Sequence, residues 1–368
     1  MTSPARCRAL LRSAGIGWYL HHLLLELAHR DDLRLRLYAH RLVESGAGLQ
    51  TVVPLPAGPA IEWARYRFTE DTNLPAGLLA KLVARASPWL MAFDPNDVLF
   101  APNYVPPPLF RHSRAPLVAT IHDLTLWRFP EAMRPDTRIA LERQLKTVLR
   151  EARLLLTDSH AVREGIEQLG VASSRIRTVR LGPGLAPSQP STQASGLRGP
   201  YGLFVGTIEP RKNLPLLLAA WRRMVICGRM GWADDETRQS LREATVQGWA
   251  QPLENVESSR LHALYRDATV VAIPSLYEGF GLPAAEALTA GTPLVCSDIP
   301  ALREIAEDCA VYVEPLDFEA WDSALSSLLA DDARRAELPR RGPLQVAKLS
   351  WAKTADDTAA AWGAVRRR

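Results

Sequence analysis

Two glutamates eight residues apart, Glu278 and Glu286, are the residues of this chain best placed to do chemistry. They stand in the stretch Ser275 to Asp298, SLYEGFGLPAAEALTAGTPLVCSD. Before it, Ala268-Thr-Val-Val-Ala-Ile-Pro274 is short, apolar and rich in β-branched residues, which predicts a buried strand. Gly279 and Gly281 then admit backbone conformations and close approaches that a Cβ would block. Pro283 suits the first position of a helix, Ala284 to Ala290 are mostly good helix formers, and Gly291 is placed to end it. Thr292 to Cys296 predicts the next strand, so the unit is a parallel strand, loop, helix, strand crossover. Ligands of such sheets bind beyond the carboxyl ends of the strands, where a helix N-terminus offers free N–H groups to a phosphate. Two carboxylates at an anion site would repel phosphate, so they are better suited to accept hydrogen bonds from hydroxyls, which points to sugars. Taken singly, Glu286 would equally complement the helix dipole and Glu278 would equally be a solvated loop residue.

Cations gather at a second strand end. Tyr201 to Val205 predicts a strand and Gly206-Thr-Ile-Glu-Pro-Arg-Lys-Asn213 the loop after it. Asn213 is placed to cap the following helix, with Pro215 in its first turn. Arg211 and Lys212 beside a helix N-terminus suit a diphosphate; alone they would also read as a solvated basic pair. In the first half, Pro116 to Ile121 predicts a core strand running directly into His122 and Asp123. That places an imidazole at the carboxyl end, although such residues also serve simply to satisfy backbone groups. Gly15-Ile-Gly17 predicts a loop before a leucine-rich helix, Trp18 to Ala28.

The segment E-G-F-G-L-P-x-x-E-A from Glu278 resembles the paired-glutamate motif of the retaining glycosyltransferases of family 4. Similarity runs from His122 to Trp351 and more thinly from Gly15. The resemblance implies an α/β chain with the GT-B fold, two Rossmann-like domains facing across a cleft, with a last helix crossing back to the first. It implies a nucleoside-diphosphate sugar donor (GDP- or UDP-linked), no cofactor and no bound metal. Glu286 would bind the ribose hydroxyls, and Glu278 with the N–H groups of Gly279, Phe280, Gly281 and Leu282 would orient the donor sugar and β-phosphate. Arg211 and Lys212, matching a G-T-x-x-P-R-K-N segment, would neutralise the departing diphosphate. His122, within T-x-H-D-L, would face the donor sugar, and Gly17 would lie close to the donor phosphate. Arg229, in Gly228-Arg-Met-Gly-Trp232, would be a second phosphate ligand. The implied reaction moves a hexose, mannose or similar, to a glycan or lipid-linked acceptor in cell-surface polysaccharide synthesis. One departure from the family stands at the start: only Met1 to Ala14 precede the first glycines, and Met-Thr-Ser-Pro-Ala-Arg-Cys-Arg does not read as a buried strand.

A chain of 368 residues suits two domains. The expected division is 1–185 on the acceptor side, a Pro-, Ser- and Gly-rich linker 186–200, 201–351 for the nucleotide sugar, and a closing helix over 352–368. The formal charge of +4 is dispersed, and neither a concentrated basic patch nor a known module points to nucleic acid. An anionic membrane surface is a better partner for the spare charge than nucleic acid, ordinary solubility explains it as well, and the basic, leucine-rich spacing of Ala76 to Arg85 fits an interfacial helix as it fits ordinary packing. No run reaches the roughly eighteen apolar residues of a membrane span and no signal peptide is legible, so a cytoplasmic protein is expected. The four cysteines show neither metal nor disulfide spacing.

Leu33 to Tyr38 alternates as a half-exposed strand, Ile139 to Arg153 predicts a helix, and Ser159 predicts the N-cap of the next one. Between Trp221 and Met224 a helix passes into a strand with almost no connecting residues, the mark of a shortened helix that would weaken the domain. A nicotinamide enzyme would carry G-x-G-x-x-G after a strand, which is absent. A GT-B epimerase or phosphorylase, or a non-catalytic sugar-nucleotide binder, remains compatible with these residues.

Overall fold

The computed structural model describes residues 15–37, 42–45, 48–51, 61–63, 96–106, 110–130, 135–184, 195–197, 199–337 and 341–366. The expected interfacial helix over 76–85, residues 1–14 and most of the linker lie outside them.

In the first half, β1 (Leu35–Leu37) pairs in parallel with β4 (Ile61–Trp63), and β2 (Leu42–Ser45) with β3 (Gly48–Thr51) as an antiparallel hairpin. The main sheet follows the order β5 (Leu99–Ala101), β6 (Leu117–Ile121), β7 (Leu154–Thr157), β8 (Ile176–Thr178), all parallel. Every residue of β6 and β7 is buried. Such fully buried strands are what a parallel sheet covered on both faces requires. The helix Pro135–Glu151 begins four residues before its expected start and ends two before its expected end. Ser159 caps the helix His160–Gln168 by accepting from Val162 N at 3.2 Å.

The second sheet has six parallel strands: β9 (Gly202–Val205), β10 (Met224–Cys227), β11 (Ala250–Leu253), β12 (Val270–Ile273), β13 (Leu294–Ser297) and β14 (Val311–Val313). Their spatial order is β11-β10-β9-β12-β13-β14. This is the doubly wound order, and the crevice between β9 and β12, where it reverses, is where such sheets hold nucleotides. The tight junction resolves simply. The helix Leu214–Ala220 is only seven residues long, extended Trp221 turns the chain out of it, and Arg223 already pairs with Gly202 N at 2.9 Å beside β10. Trp221 fills the core shared with Phe204, Leu217 and Met224.

The helix Trp351–Val365 lies against the first half. Trp351 Nε1 donates to Pro183 O at 2.9 Å, Thr354 Oγ1 to Arg180 O at 2.8 Å, and Arg30 pairs with Asp356. A single apolar cluster runs from Tyr19, Leu23 and Leu156 through Trp351 and Trp362 to Phe280 and Leu288, so the two sheets share a core at their junction.

Candidate active site

The loops leaving β9 and β12 meet at the switch point. Glu209 and the turn Pro210–Lys212 come from the first, Ser275 to Gly281 from the second. A backbone bond, Leu276 N to Arg211 O at 2.8 Å, ties them. Lys212 Nζ lies 2.5 Å from Glu278 Oε1, which also accepts from Ser275 Oγ at 2.7 Å. Arg211 reaches Glu209 at 2.7 Å, Tyr277 O at 3.0 Å and Glu278 Oε2 at 3.4 Å. Its Nε is buried without a hydrogen-bond partner among the described residues. Burial would raise the Glu278 carboxyl, but the charges of Lys212 and Arg211 and the bonds from Lys212 and Ser275 hold it below the usual range. Lys212 is lowered by burial and by Arg211. The expected cations are therefore brought together with Glu278, but as a closed network in which Glu209 and Glu278 balance Arg211 and Lys212.

Asn213 does not cap the next helix. It sits in the left-handed region at φ 50°, and its side chain donates instead to Pro315 O at 2.9 Å. Pro215 does occupy the helix's first turn.

The helix Leu282–Ala290 starts one residue before the expected Pro283, with left-handed Gly281 at its N-terminus, left-handed Gly291 at its end and no side-chain cap on its first N–H groups. Glu286 is buried within it, and its Oε2 accepts from Tyr265 OH at 2.6 Å. Burial pushes this carboxyl up to about 7, and Tyr265 restrains it only in part.

From the first half, His122 stands at the carboxyl end of β6, but its ring is committed within its own sheet. Nδ1 lies 2.6 Å from Asp158 Oδ2 and Nε2 2.8 Å from Pro102 O. The Pro102 carbonyl can only accept, so Nε2 donates, while Nδ1 pairs with the carboxyl of Asp158, which burial itself raises. Burial would lower the pKa, yet the charge and bond of Asp158 raise it, favouring the imidazolium. The ring thus clamps the ends of β5, β6 and β7 together and leaves no ring nitrogen for a sugar. What His122 presents to the opposite domain is its carbonyl. A Cβ on Gly279 would lie 2.0 Å from His122 O, so only glycine allows the two loops to meet.

Other bonds cross at the same place. Ser159 Oγ donates to Gly279 O at 2.5 Å, Leu124 N to Tyr277 OH at 2.9 Å, and His160 N to Glu304 Oε2 at 2.7 Å, while Arg180 pairs with Glu304 at 3.0 Å. Tyr265, Asp158, Tyr277 and Glu304 had not been singled out from the sequence. Tyr277, adjacent to Glu278, and Asp158, at a strand end, carried a positional signal; Tyr265 and Glu304 carried none.

Residues 14–182 match the family described as glycosyl transferase 4-like domain, and residues 190–345 match the one described as glycosyl transferases group 1. The O-antigen chain mannosyltransferase B of Escherichia coli is 31% identical over 286 residues, which cover 73% of this chain and 74% of that protein. The chain belongs to the group 1 glycosyl transferases. Among solved structures, sucrose-phosphate synthase from Thermosynechococcus elongatus superposes with a TM-score of 0.68 at 22% identity, covering 95% of this chain and 93% of that one. Anabaena HepE in complex with UDP and glucose does so with a TM-score of 0.68 at 17% identity, covering 94% and 96%. The fold of this glycosyltransferase is GT-B.

Two expected ligands of the glycosyltransferase stand apart from the network. Gly17 lies in the first turn of the helix Gly15–Leu27 and not in a loop, because the helix already begins at Gly15. Arg229 follows β10 and is exposed, with Ile208 N bonded to its carbonyl at 3.0 Å. No three His, Cys, Asp or Glu side chains gather as a metal cluster among the described residues. No described helix is long and apolar enough to cross a membrane.

Proposed function

We propose that this glycosyltransferase moves a hexose, mannose or a close relative, from a GDP- or UDP-linked donor to a glycan or lipid-linked acceptor in cell-surface polysaccharide synthesis, working at the inner face of a membrane. The observation that carries the donor assignment is Glu286. It is a buried carboxylate beside the nucleotide crevice of a doubly wound sheet, with one oxygen bonded to Tyr265 and the other available to a hydroxyl. The choice of mannose is supported by the name of the Escherichia coli relative, and the nucleotide by the UDP in HepE.

When the donor enters, its diphosphate meets Arg211 and the uncapped start of the helix Leu282–Ala290. Lys212 and Arg211 turn from Glu278 toward the phosphates and stabilise the leaving group. Glu278, thus released, contacts the sugar hydroxyls. Arg229 reaches the phosphate from the β10 side, and Gly17 lets the first domain approach the donor. His122 holds the opposing strand ends and meets Gly279 through its backbone.

A thermal-shift screen with UDP-, GDP- and dTDP-sugars tests the donor, since ligand binding to the native state raises stability by mass action. A positive donor is then incubated with lipid-linked glycan extracts. Failure of every nucleotide sugar to stabilise the protein, or binding with no transfer to any extract, rejects the proposed function.

A further inference from the structure

We infer that Trp18 selects for a ribonucleotide, its indole N–H donating to the same ligand hydroxyl from which Glu286 accepts. That role rests on Glu286 binding the ribose, as proposed above. Trp18 belongs to the first turn of the helix Gly15–Leu27, and its Nε1 is buried with no hydrogen-bond partner among the described residues. Across the junction, Tyr265 takes Oε2 of Glu286, and Oε1 turns toward Gly184. A Cβ on Gly184 would lie 2.1 Å from Glu286 Oε1 and 2.9 Å from Trp18 Nε1, so these two atoms are no more than 5.0 Å apart, the sum of those distances. Any larger residue at 184 would intrude between carboxylate and indole.

Buried donors without partners are exceptions in native proteins, and the neighbouring group tells what completes this one. A donor and a carboxylate acceptor at such a spacing match one hydroxyl: its oxygen accepts from the indole while its proton goes to Glu286. A phosphate oxygen would face the carboxylate with like charge, and a carbonyl would have no proton to give it. Trp18 belongs to the first sheet's domain and Glu286 to the second, so one ribose hydroxyl would bridge them. The nucleotide would then be read by both domains at once, and a nucleotide lacking that hydroxyl loses both contacts.

Trp18→Phe keeps a flat apolar ring beside His22 and deletes the donor. Wild type and W18F are titrated calorimetrically with UDP, with GDP, and with the 2′-deoxy and 3′-deoxy analogues of whichever binds. W18F is expected to lose roughly tenfold in affinity for the ribonucleotide, the worth of one hydrogen bond. It should lose little for the analogue without the bridged hydroxyl. Equal losses for all ligands, or none for any, overturn the role of Trp18. Should W18F fail to fold, wild type labelled with ¹⁵N at its indoles carries the test. One indole resonance should move with the ribonucleotide and stay still with one deoxy analogue; identical spectra with all three overturn the role. A wild type that binds no nucleotide removes the donor assignment itself, whereas binding that ignores Trp18 removes only its part.

Discussion

Glu286→Gln separates what the site costs the fold from what it gives the ligand. The folded carboxyl holds its proton up to about pH 7, against an ordinary value of 4.5. Between those values the native state binds a proton that the unfolded state has released, so stability falls as pH rises through that window. At about 1.4 kcal/mol per pKa unit, the full penalty by pH 8 is about 3 kcal/mol. Glutamine carries no charge and still accepts from Tyr265, but its unpaired amide N–H₂ returns about 1 kcal/mol of cost. At pH 8 the variant should therefore be about 2 kcal/mol more stable than wild type, read as a higher urea midpoint, and the advantage should vanish toward pH 5. Donor affinity should move the other way: weaker in the variant at pH 8, and in wild type falling about tenfold per unit below pH 7, because the ribose hydroxyl needs the carboxylate. Equal urea midpoints for the two proteins at pH 8 would refute the buried charge. Wild-type affinity that stays flat between pH 5.5 and 7.5 would refute its contact with the ligand.

Gly279→Ala forces a Cβ against His122 O, which the loops can relieve only by moving apart; transfer should slow on the order of a hundredfold with an unchanged circular dichroism spectrum, and wild-type kinetics would show that the domains need not meet there. Arg211→Lys should be felt as well as Arg211→Ala, because a guanidinium that serves Glu209, Tyr277 and Glu278 at once has no equivalent in a single ammonium; steady-state rates check it, and a lysine variant as fast as wild type counts against the network. Transfer should persist in EDTA, since Arg211 and Lys212 supply cationic charge at the diphosphate, and loss of activity restored by Mg²⁺ would contradict that assignment. Asp158→Asn should lower the His122 pKa, since it removes the charge and the bond that raise it most against burial; an NMR titration showing no fall would mean that Asp158 does not hold the imidazolium.

The second domain was legible because its signals are local. Buried strands announce themselves as short apolar runs, and Gly281, Pro283 and Gly291 mark a loop and both ends of one helix within eleven residues. Spatial order is not local, yet once the strand, loop, helix unit repeats, handed crossovers leave few ways to assemble it. The side-chain network was legible only in part. Arg211, Lys212 and Glu278 were legible as charges at strand ends, but not that they would neutralise one another, because that depends on two loops 66 residues apart meeting. His122 stands where expected, at the carboxyl end of β6, but the groups that engage its ring, Asp158 and Pro102, follow neighbouring strands and could not be read from its own segment. Ser159 shows how far a local reading can run short. Its hydroxyl oxygen accepts from Val162 N, a bond that any helix N-cap predicts, while its proton goes to Gly279 O in the other domain. A hydroxyl can do both and a carboxylate cannot, since it has no proton to give. Ser159→Asp should therefore keep the cap but lose the crossing bond and set a negative charge against a carbonyl. Donor affinity should fall by roughly tenfold at an unchanged helix content, and an aspartate variant that binds donor as wild type does would show that the hydroxyl serves the helix alone.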